Sequence, residues 1–324
     1  MRVAAARGTL GTMEIAVGTC GFSYKDWVGP VYPPGTKPAE MLPLYASKFP
    51  VVEIDSSYYG VPAPATVASW ARRTPDGFRF SAKLPGTGTH VPEPARGSIH
   101  DDVRLFRTNL APLLDAGKFA CALMQFPTSF RPSESTERHL RALRDTLHDM
   151  PLVAEFRHRE WQTHDTLQLL RELRIGLVAV DEPQFKSLVR PSTDATAEIA
   201  YVRFHGRNYD QWWKGDNVTR YDYLYSAEEL APWAERVTDL AANPQVREVL
   251  AFFNNHRQGQ AARNAEMFEA MLATRFPREV VKAKAAEGGP AGGEPAALSL
   301  FEPSAPPAKK PAAKKSAAKK PARR

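Results

Sequence analysis

Cysteine is scarce, with only Cys20 and Cys121 in 324 residues. That count excludes a disulfide scaffold. With no CxxC pair and no Cys/His zinc spacing, both read as reduced thiols. No apolar run reaches the length of about 18 residues that a membrane helix needs. The opening MRVAAARGTLGTM carries two Arg but lacks the apolar core of a signal peptide, so the expected location is the cytoplasm. No HxH or HExxH is present, which removes the common zinc-hydrolase patterns. Acidic residues are missing altogether from the last 16 positions, KKPAAKKSAAKKPARR.

That last absence explains the charge. Residues 282–324 hold ten Lys and Arg against three Glu, which equals the formal excess of +7 for the whole chain. Residues 1–281 hold 33 residues of each sign. Any pull toward an anionic partner therefore belongs to the C-terminal segment, and the body is neutral.

The body is rich enough in apolar residues to close a large core. Apolar runs alternate with amphipathic stretches. Strands are expected at 13–18, 50–54, 78–83, 119–125, 152–156, 175–180, 199–204 and 247–253, because these runs are short and continuous in hydrophobicity, as in strands covered on both faces. Helices are expected at about 38–48, 64–72, 101–115, 134–147, 162–173, 226–242 and 258–273. The stretch 182–198, with Pro183 and Pro191, gives no clear helix. Eight such units predict a (β/α)8 barrel over 13–281, after a frayed start at 1–12. An open doubly wound sheet is the alternative, but no GxGxxG fingerprint opens the first unit. From 282 onward Ala, Pro, Gly and Lys dominate, a composition that cannot offset the entropy of ordering and predicts disorder.

In such a barrel the chemistry lies where strands end. The predicted ends hold Glu53, Lys83, Gln125, Glu155, Arg157, Asp181, Arg203, His205, Asn254 and Asn255, with Tyr24, Tyr59 and His90 just beyond. Charges placed among apolar runs are expensive unless paired, so their convergence points to a polar functional pocket or to an ion-pair network that closes the mouth. Glu155 and Arg157 share a face, as do Arg203 and His205. Glu53, Lys83, Glu155, Asp181 and His205 are the catalytic candidates. Lys83 suits a base or Schiff-base former, or a salt-bridge partner of Glu53, and Glu53 with Glu155 suits an acid/base pair. Tyr24, Tyr59, His90, Gln125, Arg157, Arg203, Asn254 and Asn255 are the substrate-binding candidates, the two Arg fitting phosphate or carboxylate. No residue is assigned to a metal and the cofactor is left open, a divalent cation such as Mg²⁺ or Mn²⁺ being compatible with the carboxylates.

Seven blocks, GTCGFSYKDWVGPVYP, VVEIDSSYYGVP, FRFSAKLPGTGTH, LMQFPTSF, VAEFRHREW, YVRFHGRNY and FFNNHRQGQAARNA, resemble in order the motifs of the YecE-like family over about residues 15–273. The resemblance implies a TIM barrel, comparable in fold to endonuclease IV and sugar isomerases, and no established reaction. Family members usually carry Asn-Ser-Thr-Phe-Tyr after the second-strand Glu; here the run is Asp55-Ser56-Ser57-Tyr58-Tyr59. Near the C-terminus, Ala297-Leu298-Ser299-Leu300-Phe301 resembles the pentapeptide that docks on bacterial sliding clamps, with Ala297 where Gln is usual. That resemblance implies a clamp as partner through Leu298, Leu300 and Phe301. The basic pairs Lys309, Lys310, Lys314, Lys315, Lys319, Lys320, Arg323 and Arg324 resemble a linker-histone tail and imply DNA or another polyanion as partner, hence a nucleoid-associated location. Three functions follow as expectations: a DNA-associated enzyme acting on a phosphodiester, abasic sugar or nucleotide; an isomerase, lyase or hydrolase of a small sugar or sugar phosphate; or a non-catalytic module that binds a nucleic acid or nucleotide at the barrel mouth.

Overall fold

The computed structural model describes residues 13–92, 95–216 and 218–284. Eight parallel strands close into one barrel in sequence order. They are β1 (Glu14–Cys20), β2 (Val51–Ile54), β3 (Arg79–Lys83), β4 (Phe119–Gln125), β5 (Leu152–Glu155), β6 (Ile175–Asp181), β7 (Ile199–Phe204) and β8 (Glu248–Phe253). The barrel shuts where β1 pairs with β8, from Glu14 opposite Glu248 to Thr19 opposite Phe253. The helices are α1 (Pro38–Ala46), α2 (Pro64–Arg72), the single turn α3 (Gly86–Thr89), α4 (Asp101–Asn109), α5 (Ala111–Asp115), α6 (Glu134–Thr146), α7 (His164–Glu172), α8 (Ala227–Ala241) and α9 (Gln260–Arg275).

One expectation is corrected and one is met. The helix predicted over 101–115 is two helices, because Pro112 has no N–H to offer the carbonyl four residues back and the chain restarts after Leu110. As the sequence reading expects, the sixth unit has no helix: 182–198 crosses from β6 to β7 as an irregular segment. Leu188, Val189 and Ala195 of that segment are buried. Thr196 splices it onto β6, its hydroxyl donating to the Ile175 carbonyl (2.6 Å) and accepting from Leu177 N–H (2.8 Å).

Strand alternation separates two cores. Side chains such as Val52, Ala82, Ala122, Ala154, Ala179, Val202 and Phe253 face the helices. Ala16, Val51, Cys121, Leu123, Val153, Val178, Val180, Tyr201, Leu250 and Phe252 fill the barrel. Where β1 and β2 meet, a Cβ on Gly18 would lie 2.1 Å from the Val51 carbonyl oxygen, so only glycine fits. The Tyr45 hydroxyl seals the same seam, accepting from Thr19 N–H (2.9 Å) and donating to the Val51 carbonyl (2.9 Å). Among the described residues, no helix is long and apolar enough to cross a membrane.

Candidate active site at the barrel mouth

The inward series of each strand ends in a polar group. It runs Val51, Glu53, Asp55 on β2; Ser81, Lys83 on β3; Leu123, Gln125 on β4; Val153, Glu155, Arg157 on β5; Val178, Val180, Glu182 on β6; Tyr201, Arg203, His205 on β7; and Phe252, Asn254 on β8. Apolar side chains plug the barrel below, and ionisable ones gather above them.

Arg203 is the hub and is wholly buried. Its Nη2 donates to Glu53 Oε1 (2.6 Å) and its Nη1 to Glu155 Oε2 (2.7 Å), tying β2 and β5 to β7 across the barrel. Gln125 Oε1 lies 3.3 Å from Nη1, and Cys20 Sγ and Asp55 Oδ1 each lie 3.5 Å from Nη2. The second Glu53 oxygen accepts from the Tyr201 hydroxyl (2.6 Å). A parallel chain continues on the β5–β6 side. Arg157 Nε contacts Glu155 Oε1 (2.7 Å) and its Nη1 contacts Glu182 Oε2 (2.6 Å). His205 Nε2 sits 3.2 Å from Glu155 Oε1, and its Nδ1 sits 3.1 Å from Asn254 Nδ2.

These contacts drive the carboxyl groups apart in acidity. Burial lifts Glu53 to about 7, with Arg203 pulling it down and Asp55 adding repulsion. Asp55, also desolvated, is held below the usual carboxylate range by Lys83 and Arg203 and by a hydrogen bond from Glu53. Burial raises Glu155 too, but Arg157, Arg203 and His205 outweigh it and leave Glu155 well below its ordinary value. Glu182 rises to about 7 through burial despite Arg157. Burial and then Arg157 push His205 down to about 3, so it is neutral in the folded protein. Burial and Glu53 raise the Cys20 thiol well above its usual value, which rules it out as a thiolate nucleophile at neutral pH.

Access divides the site. Glu53, Glu155, Glu182, Arg203 and His205 have no exposed surface. Asp55 keeps 28% of its side chain open and Lys83 keeps 13%, the two lying 3.9 Å apart, with the Lys83 ammonium over the Tyr58 ring at 4.5 Å. Arg157 is 9% open and has Trp212 at 5.9 Å from its guanidinium. Desolvation at the rim, and after it Lys83 and Arg157, lower His90 to about 4.

The sequence candidates sort accordingly. Glu53, Lys83, Gln125, Glu155, Arg157, Arg203, His205 and Asn254 come together. Tyr59, 76% exposed, and His90 reach the rim through Tyr58, whose ring contacts both. Tyr24 belongs to the β1–β8 edge, stacked on His256 at 4.6 Å. Two candidates are corrected. Asp181 lies on the outward series of β6 and accepts from Arg207 Nη2 (2.6 Å), the Tyr225 hydroxyl (2.7 Å) and Trp233 Nε1 (2.6 Å), so it braces β6 against the β7–α8 connection and α8. Asn255, outward on β8, donates to the Tyr223 carbonyl and to Asn264 Oδ1, both at 2.8 Å. Glu53 and Glu155 do not form an acid/base pair with room for a substrate, because Arg203 occupies the gap. Asp55 and Glu182 were missed as site residues. Alternation would have found Glu182, since Val178 and Val180 place the even positions of β6 inside the barrel. The partner-binding candidates Leu298, Leu300 and Phe301, and the basic residues from Lys309 to Arg324, lie outside the described residues.

Cys20, Glu53 and Asp55 bring ligand-type atoms within 4.8 Å of one another, the one group of this kind among the described residues. Arg203 Nη2 already lies against all three, so a cation would enter only by displacing a guanidinium. That donor set does not fit a resident metal.

Residues 16–287 match the family described as Protein of unknown function DUF72. UPF0759 protein YunF of Bacillus subtilis is 31% identical over 277 residues, covering 80% of this chain and 94% of YunF. UPF0759 protein YecE of Escherichia coli is 36% identical over 90 residues, 28% of this chain and 32% of YecE. Among solved structures, a DUF72 family protein of Thermotoga maritima is 38% identical with a TM-score of 0.73, covering 80% of this chain and 99% of that one. One from Enterococcus faecalis is 30% identical with a TM-score of 0.69, covering 80% and 95%.

Proposed function

The chain belongs to the DUF72 family, the YecE-like proteins of unknown function, and from the geometry of its mouth we propose that it is an acid–base enzyme acting on a sugar moiety that carries an anionic group. The observation that carries this reading is the Glu53–Asp55 pair. One carboxyl is sealed and protonated up to about pH 7, and its neighbour is ionised and open to solvent. Two carboxyl groups whose environments push their acidities apart form a general acid and base around one shared proton.

Asp55 accepts a proton from a substrate hydroxyl or from a carbon beside a carbonyl. The Lys83 ammonium faces the oxygen on which negative charge develops. Glu53 keeps its own proton and hydrogen-bonds Asp55 from below, and Asp55, the carboxyl that reaches the substrate, returns the proton it took. Arg203 holds both carboxyl groups in place and touches no substrate, because it is fully buried. The amides of Gln125 and Asn254 and the rings of Tyr58 and Trp212 suit a polyhydroxylated ring. Lys83 and Arg157 suit its phosphate or carboxylate. The same chemistry serves a free sugar phosphate, a nucleotide or an abasic sugar in DNA. The composition of residues 282–324 favours the DNA-linked member of that set, with the Lys pairs holding a polyanion and Leu298, Leu300 and Phe301 offered to a sliding clamp.

The test is a turnover panel of sugar phosphates, nucleotides and abasic oligonucleotides with wild type, Asp55→Asn and Lys83→Met. At least one class should turn over, more slowly by a factor of roughly 10²–10⁴ in either variant. Equal turnover by wild type and Asp55→Asn would sink the proposal. For the address, Leu300→Ala with Phe301→Ala should abolish clamp pull-down; unchanged retention removes the clamp.

A further inference from the structure

Beside the mouth, the connections after β5, β6 and β7 enclose an open cleft of about 570 Å³, lined by Arg159, Phe185, Lys186, Ser187 and Trp213. Its walls are laced together. Arg159 N–H donates to the Ser187 carbonyl (3.0 Å) and its Nη1 to the Lys186 carbonyl (3.3 Å). Its apolar surface is aromatic: the Phe185 ring lies 5.4 Å from Tyr209 and 5.6 Å from Trp213. Trp213 is 55% exposed and Tyr209 50%, although each is large enough to repay burial. Neither Arg159 nor Lys186 makes a salt bridge among the described residues, in a protein whose other mouth cations are tightly paired.

Exposed rings beside unpaired cations are the two parts of a site for unpaired nucleotides. The rings stack on a base whatever its identity, and the cations hold the backbone phosphate. The cleft is open rather than enclosed, which suits a segment of a strand that enters and leaves. It also shares a wall with the mouth, since Trp213 follows Trp212 at Arg157 and Phe185 lies three residues after Glu182. We infer that this cleft binds single-stranded nucleic acid by stacking an unpaired base against Trp213 and Phe185, with Arg159 and Lys186 on the adjoining phosphate. The inference deepens the acid–base reading by making the sugar presented to the mouth part of a strand.

The experiment uses the full chain and must separate the cleft from the basic C-terminal segment, which would hold any phosphate backbone regardless of its bases. Binding of a fluorescein-labelled dT octamer is compared with binding of an octamer of the same length built wholly of abasic sites. Wild type should prefer the dT octamer by roughly tenfold or more, the size of one stacked base. Trp213→Ala should bind both alike, its fold checked by circular dichroism, and Arg159→Gln with Lys186→Gln should weaken the dT octamer. A preference retained in Trp213→Ala, or absent from wild type, overturns the inference. Binding of dTMP as tight as that of the octamer overturns the strand in favour of a free nucleotide. Asp55→Asn should keep the preference. A chain with base preference and no turnover therefore defeats the acid–base reading and leaves the cleft standing.

Discussion

At the scale of single residues, the mouth is a set of carboxyl groups that share one chemistry and differ in surroundings. Glu155 faces two guanidinium groups and stays ionised, while Glu53 and Glu182 are sealed more deeply than their single Arg contacts can offset. The pH dependence of stability follows from this with a definite sign. Glu182 titrates near 4.5 when unfolded and about 7 when folded, so the folded state holds a proton that the unfolded state has lost between those values. Its contribution is therefore full below about pH 4.5 and disappears as pH rises through 7. His205 acts in the opposite direction: unfolded it charges below about 6.5, folded only near 3, so acid removes its contribution across that window. Urea unfolding at pH 5 and pH 8 should show wild type losing roughly 3 kcal/mol more than Glu182→Gln over that interval. Parallel curves for the two proteins would remove Glu182 from the set of buried acids.

At the scale of elements, the strands were legible and the connections less so. All eight strands stood out because parallel strands covered on both faces read as unbroken apolar runs. The rim did not, because it is made of single turns after β1, β2, β5 and β8, at 25–27, 56–58, 159–161 and 257–259, too short to show a period. Asp181 and Glu182 are neighbouring carboxylates of opposite parity, and only Glu182 shares the parity of Val178 and Val180 inside the barrel. Asp181 instead takes hydrogen bonds from Arg207, Tyr225 and Trp233, joining β6 to the β7–α8 connection and α8. Asp181→Ala leaves three partly or fully buried donors unpaired and should lower stability by about 3–5 kcal/mol. Ligand affinity at the mouth should not change in the fraction that remains folded. Selective loss of binding without loss of stability would return Asp181 to the site.

At the scale of the whole molecule, the two parts of the sequence carry different physics. Residues 1–281 are balanced in charge and hold the barrel, and the entire excess of +7 lies in residues 282–324. Affinity for double-stranded DNA should therefore follow the C-terminal segment. With up to eight phosphate contacts, the log–log salt slope of the full chain should approach about −7, and removal of residues 282–324 should bring it close to zero. A truncated chain with an undiminished slope would place the polyanion site on the barrel. None of this alters the mouth, where the proposed chemistry rests on one shared proton. The direct test is infrared difference titration of the full chain against Glu53→Gln, which reads the carboxyl C=O stretch without any substrate. Wild type should show a protonated carboxyl that persists to about pH 7 and is missing from Glu53→Gln, while the Glu182 signal remains. Full ionisation of Glu53 by about pH 5 would contradict it.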